Sequence, residues 1–211
     1  MFAALPLEAV SVAVPTHLHE AVALEAMRHG LHVLVEKPLS GELAGARRLV
    51  SFADRAGVKL MVGHVERFNP AVGRLKELLE EERFGKVISL TIRRVGGLPP
   101  NTEGANVLLD LAVHDVDVAG YLLGTLPTRK TCFMSRGFLE EQEDNAVLFL
   151  EYGEVSVFIE VNWITPVKIR TLDITGTACF GQLDYLNQEI TLFENAYFRR
   201  LHRDMKTANG S

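Results

Sequence analysis

The first 83 residues alternate short apolar runs with amphipathic helical patterns, and this alternation constrains the fold more than any other feature. Apolar runs at 10–14, 32–35 and 58–62 predict three strands, and one helical pattern separates each from the next. Strands joined by single helices form a parallel sheet with right-handed crossovers. We therefore expect half of a doubly wound α/β sheet in this part of the chain.

The helices of this half have local start and stop signals. Thr16 is predicted to cap the first helix and Ser40 the second, while Gly30 and Gly57 follow their last turns. The pair Asn69-Pro70 predicts the start of a third helix. These signals place one helix after each strand.

The pattern changes after Phe84-Gly85. A strand at 87–95 is followed by one long helix over roughly 105–123, which Gly124 ends. The remaining strand patterns lie near 129–138, 146–152, 154–164, 167–176 and 178–194, with hairpin turns predicted at 152–154 and 164–166. The second half is therefore predicted to be α+β, an open antiparallel sheet that carries one long helix.

Composition limits the classes of function. The 211 residues are 47% hydrophobic and 23% charged, which is sufficient for a sizeable core and one or two domains. A net charge of −5 and a pI of about 5.8 argue against a partner among nucleic acids or anionic membranes. No apolar run is long enough to span a bilayer, and no cationic leader precedes an apolar block. Cys132 and Cys179 lie far apart, so buried thiols are favoured over a metal site or redox pair, and the cytoplasm is the expected compartment.

The second predicted strand ends abruptly in Glu36, Lys37 and Pro38. In a parallel sheet, ligands bind at the carboxyl ends of the strands, so a lysine at this point is placed for chemistry. The alternative is a surface lysine that Glu36 neutralises. Polar side chains also follow the other two strands, namely His17, His19, His64, Arg67 and Asn69. Their convergence at one edge of the sheet favours a functional site.

The long helix is nearly all apolar, but Asp110, His114, Asp117 and Tyr121 recur along it at steps of four, three and four. At 3.6 residues per turn they form one polar stripe, and Asp115 lies off it and is expected to face solvent. Asp110 beside His114 is expected to orient the imidazole and raise its pKa, which suits a general acid or base. A solvated helix face with a structural pair is the alternative, and for an isolated pair it is the favoured one. A metal site is disfavoured because no third ligand has suitable spacing.

Four motifs occur in order along the chain: Pro15-x-x-x-His19, Val35-Glu36-Lys37-Pro38, Gly63-His64 with Arg67-Phe68-Asn69-Pro70, and Asp110-x-x-x-His114. Together they resemble the Gfo/Idh/MocA family of NAD(P)-dependent sugar and cyclitol oxidoreductases, over nearly the whole chain. Segments 109–115 and 161–170 are most similar to the UDP-N-acetylglucosamine 3-dehydrogenase branch of that family.

The resemblance implies hydride transfer between the carbinol of a sugar or nucleotide sugar and NAD or NADP. The implied catalytic residues are Lys37, which would stabilise a developing alkoxide, His114, which would take the hydroxyl proton, and Asp110, which would orient His114. The implied cofactor-binding residues, at the nicotinamide end, are Pro15, His19, Glu36, Lys37 and Pro38. The implied substrate-binding residues are Lys37, His64, Arg67, Asp110, His114 and Lys168. For Lys168 a solvated strand face is an equal alternative, and Trp163 is expected in the core.

The resemblance also implies the organisation of the chain. Residues 1–84 would be a partial dinucleotide-binding, Rossmann-like domain, and residues 85–211 a substrate-binding and dimerisation domain. A homo-oligomer is expected through the β-sheet face, with strands 155–163 and 169–174 supplying its apolar residues.

The family's Gly-x-Gly-x-x-Gly turn is absent from the chain. A truncated gene, a fragment and a subunit that another polypeptide completes are the competing explanations. The alternative function is a non-catalytic subunit, or a dimerisation or sugar-binding module without a complete cofactor site.

Overall fold

The computed structural model describes residues 6–99 and 106–196. Within them the chain forms a three-stranded parallel sheet and a seven-stranded mixed sheet. The predicted class, α/β plus α+β, is confirmed: a partial doubly wound sheet precedes an open, mostly antiparallel sheet with one long helix.

The small sheet has the strand order β1-β2-β3 and is parallel throughout. Its elements are β1 (Ala9–Val12), α1 (His19–Arg28), β2 (His32–Val35), α2 (Leu43–Ala56) and β3 (Leu60–Val62). Val35 is paired with Val12 on one side and with Val62 on the other, so the three strands end side by side. This register delivers the polar residues after each strand to one edge of the sheet.

The predicted helix caps are partly wrong. The chain first makes a 3₁₀ turn at Thr16–Leu18, so α1 begins three residues after Thr16 and without a side-chain cap. Ser40 lies in the turn before α2, where its Oγ accepts the N–H of Glu42 at 3.2 Å. The Asn69 prediction is confirmed, because its side chain accepts the Ala71 N–H at 3.0 Å at the start of α3 (Pro70–Glu80). Gly57 ends α2 as predicted, with a left-handed φ of 66°.

The large sheet has the strand order β10-β9-β8-β4-β7-β6-β5. Its strands are β4 (Val87–Val95), β5 (Arg129–Ser135), β6 (Asn145–Tyr152), β7 (Val155–Asn162), β8 (Ile169–Gly176), β9 (Cys179–Asp184) and β10 (Glu189–Glu194). The turn at Gly153 joins a hairpin, as predicted. The hairpin predicted at 164–166 is wrong, because β4 lies between its two strands, parallel to β7 and antiparallel to β8.

The long helix consists of a π-helical segment (Leu108–Ala112) followed by α4 (Val113–Leu123), which Gly124 ends. Residue 105, where the helix was predicted to begin, lies outside the described residues. The expectation that Asp115 faces solvent is wrong: it is fully buried, on the same stripe as Val118 and Leu122. This stripe faces the large sheet, and an acid can occupy it only with a partner, which is Arg94 on β4.

Each sheet has its own apolar core. The small sheet packs with α1 and α2 around side chains such as Val35 and Leu49. The large sheet packs with α3 and α4 around side chains such as Leu75, Val118 and Ile159. Helix α3 therefore belongs to the core of the large sheet, while the domain boundary at residue 84 stays a prediction.

The outward face of the large sheet differs from the expected one. Apolar side chains of β7 (Val157, Ile159, Val161) are fully buried under the helices, so they do not supply the expected face, whereas Phe158 of the same strand lies on the opposite face against Phe149, and the oligomer through that face stays a prediction. The exposed aromatic residues come from β5 and β6 instead: Phe133 is 80% exposed and Phe149 is 57% exposed. Successive side chains of a strand point to opposite faces of the sheet, so Val157, Ile159 and Val161 all point to the same, buried face.

Two other expectations concern the cysteines and the membrane. Cys179 is buried as expected, whereas Cys132 is exposed on the edge strand β5, and both are free. In the ranges 6–99 and 106–196, no helix has the length and apolar character needed to cross a membrane.

Candidate active site

Lys37 follows β2 directly and reaches across to the π-helical segment. Its Nζ donates to the main-chain carbonyl of Asp110 at 2.8 Å and to Oδ1 of the same residue at 3.1 Å. The Lys37 side chain is only 19% exposed, so its charge is held at the junction of the two halves. The structure thus brings together two of the three predicted catalytic residues.

The second oxygen of Asp110 is also occupied. Trp163 Nε1 donates to Asp110 Oδ2 at 3.2 Å, and the indole is buried in the core, as predicted. The expected hydrogen bond between Asp110 and His114 is not formed, because the two carboxylate oxygens of Asp110 accept from Lys37 and Trp163. Asp110 therefore pairs directly with Lys37, and its predicted role in orienting His114 stays a prediction.

His114, at the start of α4, is half-buried. Its Nδ1 is buried and has no hydrogen-bond partner among the described residues. Burial lowers the pKa of His114 from 6.5 to about 3, the positive charges of Lys37 and Arg94 add to the effect, and Asp110 opposes it. The expectation of a raised pKa is wrong because desolvation outweighs the single carboxylate. At neutral pH the ring is therefore uncharged, and a pKa this low also makes it a weak proton acceptor.

The predicted cofactor-binding residues fall into two groups. Pro15 and Glu36 are exposed at the ends of β1 and β2. His19 and Pro38 are buried: Nδ1 of His19 lies 2.8 Å from the Pro38 carbonyl oxygen, and Nε2 lies 2.8 Å from that of Val14. His19 therefore links the end of β1 to the turn that carries Lys37, and the cofactor roles of these residues stay predictions.

The strand ends approach one another closely beside Lys37. A Cβ on Gly63 would lie 3.3 Å from Glu36 Oε2, and that oxygen accepts the Lys37 N–H at 3.2 Å. Exposed Pro15 and Glu36 and half-buried Lys37 at one edge fit the nicotinamide end of a dinucleotide. The sequence contains no Gly-x-Gly-x-x-Gly turn that could bind the pyrophosphate of the dinucleotide.

Two predicted substrate-binding residues lie in a second cluster. Arg67 donates from Nε and Nη2 to the two carboxylate oxygens of Asp117, at 2.7 and 2.6 Å. Nε2 of His64 lies 3.7 Å from Asp117 Oδ1, and burial lowers the pKa of His64. These residues border a largely apolar cavity of about 760 Å³ along α4, which Tyr121 also lines. The remaining substrate candidate, Lys168, is exposed just before β8.

A buried charged cluster beside His114 was missed from the sequence. Arg94 donates from Nε to Asp115 Oδ1 at 2.8 Å and from Nη1 to Glu66 Oε1 at 2.9 Å. The signal that could have revealed it is the alternation along β4, because Arg94 lies two residues after the buried Ile92. No set of three or more His, Cys, Asp or Glu side chains placed to hold a metal ion occurs within the described ranges.

Two family models match the chain. Residues 1–64 match the model described as an oxidoreductase family with an NAD-binding Rossmann fold. Residues 72–179, about half of the chain, match the GFO/IDH/MocA C-terminal domain.

Similar proteins include a UDP-N-acetylglucosamine 3-dehydrogenase from Acidithiobacillus ferrooxidans, 34% identical over 187 residues. That match covers 88% of this chain and 58% of the relative. An inositol 2-dehydrogenase from Streptomyces avermitilis is 35% identical, over 73% of this chain and 47% of the relative. The chain thus spans about half the length of the curated relatives that it matches.

Solved structures agree in fold. The crystal structure of the Acidithiobacillus ferrooxidans enzyme superposes with a TM-score of 0.79 at 26% identity, covering 89% of this chain and 61% of the other. An oxidoreductase from Magnetospirillum magnetotacticum gives a TM-score of 0.82 at 29% identity, covering 92% of this chain and 63% of the other. With both halves matched in sequence and in fold, the chain belongs to the Gfo/Idh/MocA family of oxidoreductases.

Proposed function

We propose that this chain carries the catalytic end of an NAD(P)-dependent oxidoreductase that acts on the carbinol of a sugar or nucleotide sugar. The observation that carries the proposal is the Lys37 ammonium group, held by Asp110 at the shared edge of the strand ends and beside a neutral His114. Dehydrogenases of inositol and of UDP-N-acetylglucosamine among the relatives support this class of substrate.

The side chains divide the chemistry between them. Lys37 stabilises negative charge on the substrate oxygen as the carbinol becomes a carbonyl. His114 takes the hydroxyl proton on its uncharged ring, and Asp110 keeps Lys37 in place through two contacts. Oxidised NAD or NADP, held at Pro15, Glu36 and Lys37, would supply the hydride acceptor for the substrate carbon.

The cofactor would contact this chain through its nicotinamide end. Pro15, Glu36 and Lys37 would line that end, while His19 and Pro38 support them from within. Because the chain has no glycine-rich turn for the pyrophosphate, we expect weak binding by the chain alone, with a Kd near 1 mM, or about −4 kcal/mol.

Cofactor binding can be measured through Trp163, the single tryptophan of the chain. Energy transfer from Trp163 to the reduced nicotinamide should increase as NADH or NADPH is added. The variant His114→Ala should abolish turnover and leave cofactor affinity nearly unchanged, whereas the control His29→Ala, at the far end of α1, should behave as wild type. No binding at several millimolar cofactor would refute an oxidoreductase role for this chain taken alone.

The substrate-binding roles of Lys168, His64 and Arg67 are part of the same proposal. The exposed Lys168 ammonium group suits a diphosphate, so Lys168→Met should raise KM for a UDP-sugar and leave KM for inositol unchanged. An equal effect on both substrates would remove Lys168 from diphosphate binding. His64 and Arg67 would contact the substrate from the Asp117 cluster.

A second candidate is a non-catalytic subunit, or a dimerisation or sugar-binding module. The outward face of the large sheet favours an interface, because Phe133 and Phe149 are exposed there and the rings of Phe149 and Phe158 meet edge to face with centroids 5.1 Å apart. We propose a homo-oligomer through this face, in the cytoplasm. Phe149→Glu should lower the mass measured by light scattering, whereas Leu186→Glu, in a surface turn, should not. Dimers that persist in Phe149→Glu would refute this interface.

A further inference from the structure

Arg94 is the most enclosed cation of the site region. Its side chain is 7% exposed, Asp115 is fully buried and Glu66 is 19% exposed. The guanidinium carbon lies 5.1 Å from the centre of the Tyr185 ring, which covers one side of it. Charges buried to this extent are retained only with partners, and here the partners come from remote segments.

The cluster joins three elements that carry the site. Arg94 is on β4, Asp115 is the residue after His114 on α4, and Glu66 is in the 3₁₀ turn (Val65–Phe68) after β3. One guanidinium therefore links the helix that carries His114 to the edge of the small sheet from which Lys37 extends.

The cluster is poorly optimised for stability alone. Arg94 Nη2 and Asp115 Oδ2 are both buried and have no hydrogen-bond partner among the described residues. Unpaired buried polar atoms cost free energy, and apolar residues of similar volume can often replace a buried ion pair without loss of stability. An arrangement with this cost next to a catalytic group indicates a functional role.

We propose that Arg94 is a positioning residue for the reaction, which fixes His114 relative to the Lys37–Asp110 pair by holding Asp115 and Glu66 on separate nitrogens. This inference rests on the proposed function. Arginine suits the role because its rigid planar group can bind two carboxylates in fixed directions, whereas the single ammonium group of a lysine cannot.

Arg94 also contributes to the charge around His114. The ionisable groups that face the imidazole are Lys37 after β2, Arg94 on β4, Asp110 in the π-helical segment and His64 after β3. Two of them are fixed cations, so the loss of Arg94 should let His114 take up a proton at a higher pH.

The variants separate charge, geometry and folding. Arg94→Met alone would leave Asp115 fully buried without a partner, so the double variant Arg94→Met/Asp115→Asn removes both of these charges, while Glu66, which is 19% exposed, keeps access to water. Arg94→Lys keeps the charge and loses the two-nitrogen geometry. Arg93→Met is the matched control, because Arg93 lies next to it on β4 but points outward, where Nε donates to Glu160 at 2.8 Å.

Three measurements test the proposal on the whole chain: kcat and KM, the titration of the His114 imidazole by ¹⁵N NMR, and the emission of Trp163, which contacts Asp110. We expect the double variant to lower kcat about 100-fold with KM little changed, because small displacements of a catalytic group cost about this much. His114 should titrate at a higher pH in that variant, and Trp163 emission should shift. Arg94→Lys should lower kcat while keeping the wild-type titration, and Arg93→Met should match wild type throughout.

A double variant that folds with wild-type kcat and wild-type His114 titration would overturn the role of Arg94. If the wild type itself shows no turnover, the proposed function fails. The NMR titration of His114 and the emission of Trp163 would still test whether Arg94 positions His114. An unshifted titration and emission in the double variant would then refute it.

Discussion

Removal of the His114 ring should change the pH dependence of stability in a calculable way. The folded protein holds the pKa of His114 at about 3, whereas an unfolded histidine has a pKa near 6.5. Between these values the unfolded chain binds more protons than the folded one, so stability is complete above pH 6.5 and is lost as the pH falls. The variant His114→Gln lacks this loss.

The magnitude follows from the two pKa values. Each pH unit is worth about 1.4 kcal/mol, so the wild type should lose about 2 kcal/mol relative to His114→Gln between pH 6.5 and pH 5, and about 4 kcal/mol by pH 3, where the folded imidazole is itself half protonated. Desolvation of the half-buried ring is the main cause.

Urea unfolding at several pH values, followed by the emission of the buried Trp163, measures this difference. Groups remote from His114 titrate equally in both proteins and cancel, and His29→Gln serves as a surface control. A free-energy difference that stays constant from pH 7.5 to pH 5 would show that the fold does not hold His114 neutral.

Three further predictions concern Lys37, the hydrogen bond between Trp163 and Asp110, and two glycines at and within helices. Lys37→Met should lower kcat by about 100-fold or more in steady-state assays and also weaken cofactor binding, because Lys37 lines the nicotinamide end, and an unchanged kcat would remove Lys37 from the chemistry. Trp163→Phe should cost about 1 kcal/mol in thermal unfolding followed by circular dichroism, because Asp110 Oδ2 loses its donor, and no loss would make that hydrogen bond unimportant. Gly57→Ala should lower the free energy of unfolding by about 1 kcal/mol, because φ is 66° there. Gly73→Ala should raise it by a similar amount, because Gly73 lies inside α3 and nothing is within 4 Å of the new Cβ; changes of the same sign would contradict this expectation.

Much of the small sheet could be predicted because its signals are local. The apolar runs, Gly57 after a helix and Asn69-Pro70 before one depend only on neighbouring residues. The caps at Thr16 and Ser40 failed because other turns precede those helices. The large sheet was harder, since local pattern does not reveal that β4 lies between β7 and β8.

Some features of the candidate site could likewise be predicted from local sequence, and others could not. The position of Lys37 at a strand end and the presence of Asp110 and His114 on one helix could be predicted from the sequence. The partners of Asp110 could not, because Lys37 and Trp163 approach it from 73 and 53 residues away. The contacts of His64 and Arg67 with Asp117 likewise depend on tertiary packing.

The sequence by itself determined the order of elements, the strand end that carries Lys37 and the motifs of the family. Only the tertiary structure decided that His114 is neutral, that Asp115 is buried and that Arg94 pairs with Asp115 next to His114. The physical reason is that strand and helix patterns arise from neighbouring residues, whereas burial and electrostatic fields are sums over side chains that the fold brings together from distant parts of the chain.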